Sequence, residues 1–183
     1  SEVTKFAVIT DTQSHEKMLC MGLGLMPIAA LVDFELTLTM PYRLTADTGI
    51  DSLCHALEAY VSVKSNPYTD GMALLAMRAI NEHIRTACAE PDNRQAREAM
   101  MLAATQAGMA FANASVTLIH GMSRPIGALF HVPHGLSNAM LLPAVSCPLY
   151  TSAAADDPLP VSPVGRLRIQ QLHSSHLSHA HSS

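Results

Sequence analysis

The segment TGIDSLCHALEAYVS, residues 48–62, decides the fold class because its apolar residues recur at helical spacings. The same spacing returns in three later segments, and the turn-prone motifs Asn66-Pro67 and Pro91-Asp92-Asn93 separate the first three of the four segments. The pattern favours an antiparallel assembly of helices over an all-β fold. The predicted helices are Thr48–Val63, Tyr68–Ala87, Asn93–Ala114 and Gly135–Val145.

The residues before and after these predicted helices do not continue the helical periodicity. Lys5–Thr10 and Ala29–Asp33 are short β-branched or apolar runs that predict strands, and residues 16–25 between them predict a short helix or a loop. Two short strands are marginal alone, so we expect the edge of a sheet whose other strands are not in this sequence. Residues 147–183 have neither helical period nor strand alternation, which predicts a disordered or aberrant tail.

Composition narrows the classes of function. Of 183 residues, 49% are hydrophobic and 14% are charged, which excludes a largely disordered chain. The net charge of -4 gives no basic surface for nucleic acid, and no apolar run is long enough to predict a membrane span. The four cysteines form no C-x-x-C pair, which predicts reduced thiols in a cytoplasmic protein.

A first candidate site lies in the segment of residues 48–62. Asp51 and His55 are four residues apart, so a helix would place both on one face, where they could bind one ion. A structural interpretation competes with this one. Thr48-x-x-Asp51 also resembles the capping box at the start of a helix, in which case His55 is only a polar neighbour.

A second candidate site is rich in histidine. His120, His131 and His134 lie within HGMSRPIGALFHVPHG, residues 120–135, a loop-like segment punctuated by Gly and Pro. Such histidines can be hydrogen-bonded core residues. Combined with Asp51 and His55, however, they offer one carboxylate and several imidazoles, which are suitable ligands for Fe²⁺ or Zn²⁺.

Three stretches together resemble the iron-containing (group III) alcohol dehydrogenases, over residues 1 to about 145: SEVTKFAVITD (1–11), TGIDSLCHALEAYVS (48–62) and HGMSRPIGALFHVPHGLSNAMLLP (120–143). The resemblance implies a mainly α helical metal-binding domain of the dehydroquinate synthase-like architecture, preceded by a remnant of an α/β dinucleotide-binding domain. The implied division is residues 1–40 for that remnant, 41–146 for an incomplete metal and substrate domain, and 147–183 for the tail. It also implies a fragment of a longer protein.

The resemblance assigns roles residue by residue. It implies metal ligands at Asp51, His55, His120 and His134, with His131 outside the ligand set. Phe111 is implied to line the substrate pocket, and the implied dinucleotide contacts are Thr4, Lys17, Leu36 and Met40. Arg124 departs from the family, since many members carry a second, non-ligand histidine there. An Arg could contact substrate or cofactor, but it cannot shuttle protons at neutral pH.

The implied function is metal-dependent and NAD(P)-linked: hydride transfer between a small alcohol or aldehyde and nicotinamide, in a parent protein that is a homodimer or larger homo-oligomer. No glycine pattern, whether Gly22-x-Gly24, Gly49 or Gly71, convincingly supplies the pyrophosphate-binding turn, so we expect impaired activity from this chain alone. Two alternatives stay open: a non-catalytic metal-binding helical fragment, and a relative of glycerol dehydrogenase or maleylacetate reductase.

Overall fold

The computed structural model describes residues 2–13 and 17–154, with the backbone alone at positions 10, 17 and 147–154. This part of the chain is mainly helical, as the sequence predicts. Its α-helices are α1 (Tyr42–Val61), α2 (Pro67–Ala89), α3 (Arg94–Ala114), α4 (Leu118–Phe130) and α5 (His134–Ala154).

Helices α1, α2 and α3 pack closely because most of the residues between them are alanines. Small side chains allow the helix backbones to approach one another, and the few large buried residues fill the remaining space. Gly49 of α1 marks a point of close approach, since an added Cβ would lie 2.9 Å from both Ile84 and Met100. The buried alanines of this core are Ala56, Ala59, Ala73, Ala76, Ala103, Ala107, Ala110 and Ala114.

Helices α4 and α5 pack on α1 through a second, smaller core. Cys54 of α1, Ile119 of α4 and Val145 of α5 are buried together. The start of α5 lies directly on α1, because a Cβ at Gly135 would be 2.5 Å from the carbonyl oxygen of Asp47. Helix α1 therefore contributes to both cores. The candidate site lies where α1 faces α4 and α5.

The predicted starts of α2 and α3 are close to those observed. The Asn66 side chain accepts hydrogen bonds from the backbone N–H groups of Tyr68 (3.1 Å) and Thr69 (3.2 Å), and Asn93 accepts one from Ala96 (3.1 Å). These are ordinary N-terminal caps, and Pro67 suits the first helical position because it has no N–H to satisfy.

The start of α1 differs from the prediction. The helix begins at Tyr42, six residues before Thr48, so Thr48 lies inside it and donates a hydrogen bond to the carbonyl of Leu44 at 2.7 Å. The capping-box interpretation of Thr48-x-x-Asp51 is therefore wrong, because an interior residue has no free helix terminus to cap.

The N-terminal strands pair as a hairpin. Strand β1 (Phe6–Thr10), predicted as Lys5–Thr10, runs antiparallel to β2 (Lys17–Met21), with Phe6 opposite Met21. The prediction of a helix or loop at residues 16–25 is wrong for Lys17–Met21, which form β2, and is confirmed for Leu23–Leu25, which form a 3-10 helix. The predicted strand at Ala29–Asp33 is wrong. A strand requires a partner, and β2 lies close enough along the chain to pair with β1, whereas Leu31 is 95% exposed.

Two further segments differ from their predictions. The loop-like stretch around His120 is helix α4, with Pro125 inside it. The helix ends at Phe130, and the next residue, His131, has a left-handed φ of 53°. The backbone of α5 extends to Ala154 and so includes the first eight residues of the predicted irregular tail, while residues 155–183 lie outside the described residues.

Among the described residues, no single helix has the length and apolar composition required to cross a membrane. Helices α3 and α4 meet that composition test only as a pair, and the chain bends by 102° between them.

Candidate metal centre

Four predicted ligands converge on one point between three helices. Asp51 and His55 lie one turn apart on α1, His120 lies in the first turn of α4, and His134 is the first residue of α5. One ligand atom from each of these side chains lies within 4.8 Å of the corresponding atoms of the other three. The structure therefore brings together residues that are up to 83 positions apart in the chain.

The carboxylate of Asp51 lies beside two of the imidazoles. Its Oδ1 atom is 3.4 Å from Nε2 of His120 and 3.8 Å from Nε2 of His134. Burial alone would raise the pKa of Asp51, but the hydrogen bond with His120 and the charges of His55 and His134 lower it to about 2. Asp51 is thus an anion at neutral pH, as a metal ligand must be.

The imidazole of His55 is stacked between two other rings. Its centroid is 4.2 Å from that of Phe111 and 4.3 Å from that of His120, with interplanar angles of 13° and 24°. Burial lowers the pKa of His55 to about 4. The ring is therefore neutral near pH 7 and retains a nitrogen lone pair for a metal ion.

Glu58 is a functional candidate that the sequence analysis missed. It lies three residues after His55 on α1, is only 2% exposed, and its carboxylate forms a hydrogen bond with Nδ1 of His120. Burial alone would raise the pKa of Glu58, but hydrogen bonds from His120, Thr117 and the backbone of Ile119 lower it. A sequence signal for Glu58 was available, because it is a glutamate among apolar positions of a predicted helix. Buried carboxylates are rare unless they are paired, so this position indicates a buried partner.

Asn138 is a second missed residue, one turn after His134 on α5. Its Nδ2 donates to Oδ1 of Asp51 at 2.5 Å and lies 3.1 Å from Nε2 of His120 and 3.2 Å from Nε2 of His134. Within the described residues, no hydrogen-bond partner reaches its buried Oδ1 atom. Three acceptor atoms thus face a single point, an arrangement that a cation satisfies better than one amide group with two protons.

The ligand chemistry fits a divalent transition metal. One carboxylate and three imidazoles supply a total charge of -1 when the imidazoles are neutral, and Fe²⁺ and Zn²⁺ both accept nitrogen and oxygen ligands of this kind. Half of the His134 side chain is exposed (45%), whereas that of His120 is buried (5%). The centre is therefore enclosed by α1 and α4 and faces solvent on the side of His134.

Phe111 lies next to the predicted metal ligands. Besides stacking on His55, it contacts Phe6 of β1, with ring centroids 5.5 Å apart. The hairpin and the candidate site are thus joined through one aromatic side chain. The predicted role of Phe111 in a substrate pocket stays a prediction.

The predicted dinucleotide contacts lie outside the converging group. Thr4 is buried and its hydroxyl donates to the carbonyl of Phe6 at 3.1 Å, while Leu36 is 78% exposed in a 3-10 helix, Phe34–Thr37. The carbonyl of Met40 accepts a hydrogen bond from the guanidinium of Arg97 at 3.3 Å. The Lys17 side chain lies outside the described residues, although its backbone is in β2.

Arg124 and His131 occupy different positions on α4. Arg124 is exposed and lies one turn after His120, on the same side of the helix. His131 is exposed at the C-terminus of α4 and is not one of the four converging residues.

Comparison with known proteins agrees with this geometry. Residues 45–156 match the family model described as Fe-containing alcohol dehydrogenase family, C-terminal. The chain is 46% identical over 145 residues to NADPH-dependent butanol dehydrogenase of Clostridium saccharobutylicum, covering 79% of this chain and 37% of that protein.

Solved structures agree as well. A 1,3-propanediol oxidoreductase superposes with a TM-score of 0.80 at 35% identity, over 93% of this chain and 49% of the other. An iron-containing alcohol dehydrogenase from Thermotoga maritima gives a TM-score of 0.74 at 35% identity, over 82% of this chain and 40% of the other. The chain spans less than half the length of each of these relatives. By its sequence match and by its fold, it belongs to the family of Fe-containing alcohol dehydrogenases and corresponds to their C-terminal part.

Proposed function

We propose that this chain provides the metal-binding part of an NAD(P)-linked alcohol dehydrogenase that interconverts a small alcohol and its aldehyde. The observation that carries the proposal is the convergence of Asp51, His55, His120 and His134 within 4.8 Å. Because the chain spans 37% of its NADPH-dependent relative, we assign the complete activity to this chain together with a dinucleotide-binding domain.

We propose that these four side chains hold one Fe²⁺ or Zn²⁺ ion. When bound, such an ion supplies Lewis acid chemistry: it polarises the oxygen of the alcohol or aldehyde and favours hydride exchange at the adjacent carbon. The protein's own contribution is to position the ligands. Asn138 orients the carboxylate of Asp51 by donating to its Oδ1, and stacking against Phe111 holds the His55 ring.

We propose that the substrate enters the site past the exposed side chain of His134. His120 and Asp51 face the interior, so a small molecule reaches the centre most directly past His134. We propose that Phe111 forms an apolar wall of that pocket, since it already contacts the ligand His55. A wall of this kind suits a small aliphatic substrate.

The cofactor contacts are also part of the proposal. Thr4, Lys17, Leu36 and Met40 are assigned to the dinucleotide, and Arg124 to a carboxylate or phosphate of substrate or cofactor. Arg124 is exposed one turn from His120, which supports a role in binding and not in metal ligation. We further propose that the protein is cytoplasmic and that its active form is a homodimer or larger homo-oligomer.

A chimera tests this function directly. The chain is joined to the upstream dinucleotide-binding part of the butanol dehydrogenase, and NADPH oxidation is followed with butyraldehyde as substrate. We expect metal-dependent turnover by the chimera, loss of that turnover on Asp51→Ala, and negligible turnover by the chain alone. An Asp51→Ala chimera as active as the parent chimera would contradict the proposal.

A non-catalytic metal-binding role is the competing function. It predicts that the chimera binds metal at the four residues and yet fails to oxidise NADPH with any small aldehyde. The butanol dehydrogenase itself, assayed in parallel, controls for the quality of the substrate and cofactor.

A further inference from the structure

The carboxylate of Glu58 makes an unusual number of contacts for one side chain. It is 2% exposed, and its two oxygen atoms face different groups of α4 and of the residues just before that helix. Burying an anion is costly unless several donors satisfy it, so this concentration of donors needs an explanation.

One oxygen atom of Glu58 accepts hydrogen bonds from the backbone N–H groups at the start of α4. Oε1 accepts from the backbone N–H of Thr117 at 2.9 Å and of Ile119 at 2.8 Å, with His120 N at 3.4 Å, and from the hydroxyl of Thr117 at 2.8 Å. The N-cap residue Thr117, which directly precedes α4, makes no capping bond with its own side chain. Glu58 therefore does across the fold what a local cap usually does within the helix.

The other oxygen atom holds the imidazole of His120. Oε2 pairs with Nδ1, which must carry a proton because an ionised carboxylate only accepts hydrogen bonds. In a neutral ring the lone pair then belongs to Nε2, the atom that lies 3.4 Å from Oδ1 of Asp51 and faces the converging ligands. The same carboxylate thus fixes where α4 begins and which His120 nitrogen is available to a metal.

We propose that Glu58 is a positioning residue of the metal centre: by capping α4 and holding the Nδ1 proton of His120, it directs the Nε2 lone pair of that ring toward the ion. The inference rests on the metal centre of the proposed function but not on dehydrogenase activity. Carboxylates that orient a ligating imidazole in this way typically change metal affinity 10- to 100-fold when they are replaced.

Two variants separate orientation of the imidazole from simple capping of the helix. In Glu58→Gln, an amide oxygen can still accept from the N–H groups of α4, but an amide N–H₂ group facing His120 favours the tautomer that protonates Nε2. Thr117→Val is the matched control. It removes one hydrogen bond to Oε1 at 2.8 Å and leaves the Nδ1 contact of His120 intact.

The experiment is Co²⁺ titration of the full chain and both variants, followed by the d–d absorption bands in the presence of a competing chelator. We expect Glu58→Gln to bind Co²⁺ about 10- to 100-fold more weakly, with altered bands. Thr117→Val should bind with unchanged Kd and unfold at a lower temperature without metal. A Glu58→Gln chain with wild-type Kd and bands overturns the proposal, as does an equal loss of affinity in both variants.

A second measurement does not depend on the folding of a variant. Long-range ¹H–¹⁵N spectra of the Zn²⁺-loaded wild-type chain report which nitrogen of His120 carries a proton. We expect a protonated Nδ1 and a metal-bound Nε2, and the opposite assignment overturns the proposal. If the wild-type chain binds neither Co²⁺ nor Zn²⁺, the proposed metal centre fails as well, which distinguishes that failure from one of Glu58 alone.

Discussion

The imidazole of His55 shows how neighbouring side chains can hold a proposed metal ligand in place. Stacking on Phe111 at 4.2 Å restricts its rotation, and burial lowers its pKa to about 4, so the ring is fixed and neutral before a metal binds. An aromatic pair of this kind contributes about 0.5–1.5 kcal/mol beyond the area that it buries.

Replacing Phe111 with leucine tests that contact. Leucine keeps an apolar side chain but cannot stack, so Phe111→Leu should lower the free energy of unfolding by at least about 0.5–1.5 kcal/mol and weaken binding of Zn²⁺. Urea denaturation and chelator competition measure the two effects. Phe130→Leu is the control, because Phe130 is 70% exposed and should change neither quantity. Unchanged values in Phe111→Leu would show that stacking contributes nothing to the site.

Spacing along the chain predicted a shared site only for residues that are close in sequence, whereas His120 and His134 were assigned to it by their ligand type and by the family resemblance. Asp51 and His55 are one helical turn apart, so periodicity alone places them together. Glu58 and Asn138 were not predicted as site residues, because their hydrogen-bond partners are far away in the sequence. Glu58 accepts from Thr117, 59 positions later, and Asn138 donates to Asp51, 87 positions earlier. No local pattern encodes such contacts.

At the scale of elements, the start of α5 depends on a glycine. A Cβ at Gly135 would lie 2.5 Å from the backbone oxygen of Asp47 in α1, and a backbone atom cannot rotate away as a side chain can. Gly135→Ala should therefore push α5 away from α1 and move the adjacent proposed ligand His134 with it.

We expect Gly135→Ala to lower the free energy of unfolding by about 1–3 kcal/mol, as overpacking does, and to weaken metal binding. Gly71→Ala is the matched control, since it lies in α2 with no atom within 4 Å of the added Cβ. It should stabilise the chain by about 0.5–1 kcal/mol. Urea unfolding of both variants gives the answer, and a Gly135→Ala chain as stable as Gly71→Ala would disprove the close contact.

The start of a helix was predictable where its capping residue lies next to it in the sequence, and not where the capping group comes from a distant part of the chain. Asn66-Pro67 and Asn93 cap α2 and α3 within a few residues, so the sequence indicates both starts. The start of α1 has no side-chain cap of its own, and its first turn is bound by Arg97, whose guanidinium donates to the hydroxyl of Thr45 at 2.7 Å from 52 positions away. The start of α4 has no local signal either, because the residue that caps it, Glu58, is 59 positions before Thr117. The sequence of α4 was therefore interpreted as a loop.

At the scale of the whole molecule, the candidate site is built from residues between Asp51 and Asn138. A chain that ends at Ala154 contains all of them and the whole of α5. Such a chain should bind metal with the same stoichiometry and Kd as the full chain, as judged by chelator competition. A chain that ends at Pro133 lacks His134 and Asn138 and should lose binding. A lower affinity after truncation at Ala154 would assign residues 155–183 a role in the site.

The central claim is that four side chains from three helices hold one divalent metal ion, and metal stoichiometry tests it most directly. The chain ending at Ala154, which omits the histidines beyond that residue, is equilibrated with Zn²⁺ or anaerobic Fe²⁺, and the bound metal is quantified by mass spectrometry. We predict one ion per chain, near-complete loss in Asp51→Asn, His55→Gln and His134→Gln, and full retention in His131→Asn, where asparagine suits the left-handed backbone. One ion per chain in all three ligand variants, or its loss in His131→Asn, would contradict the account.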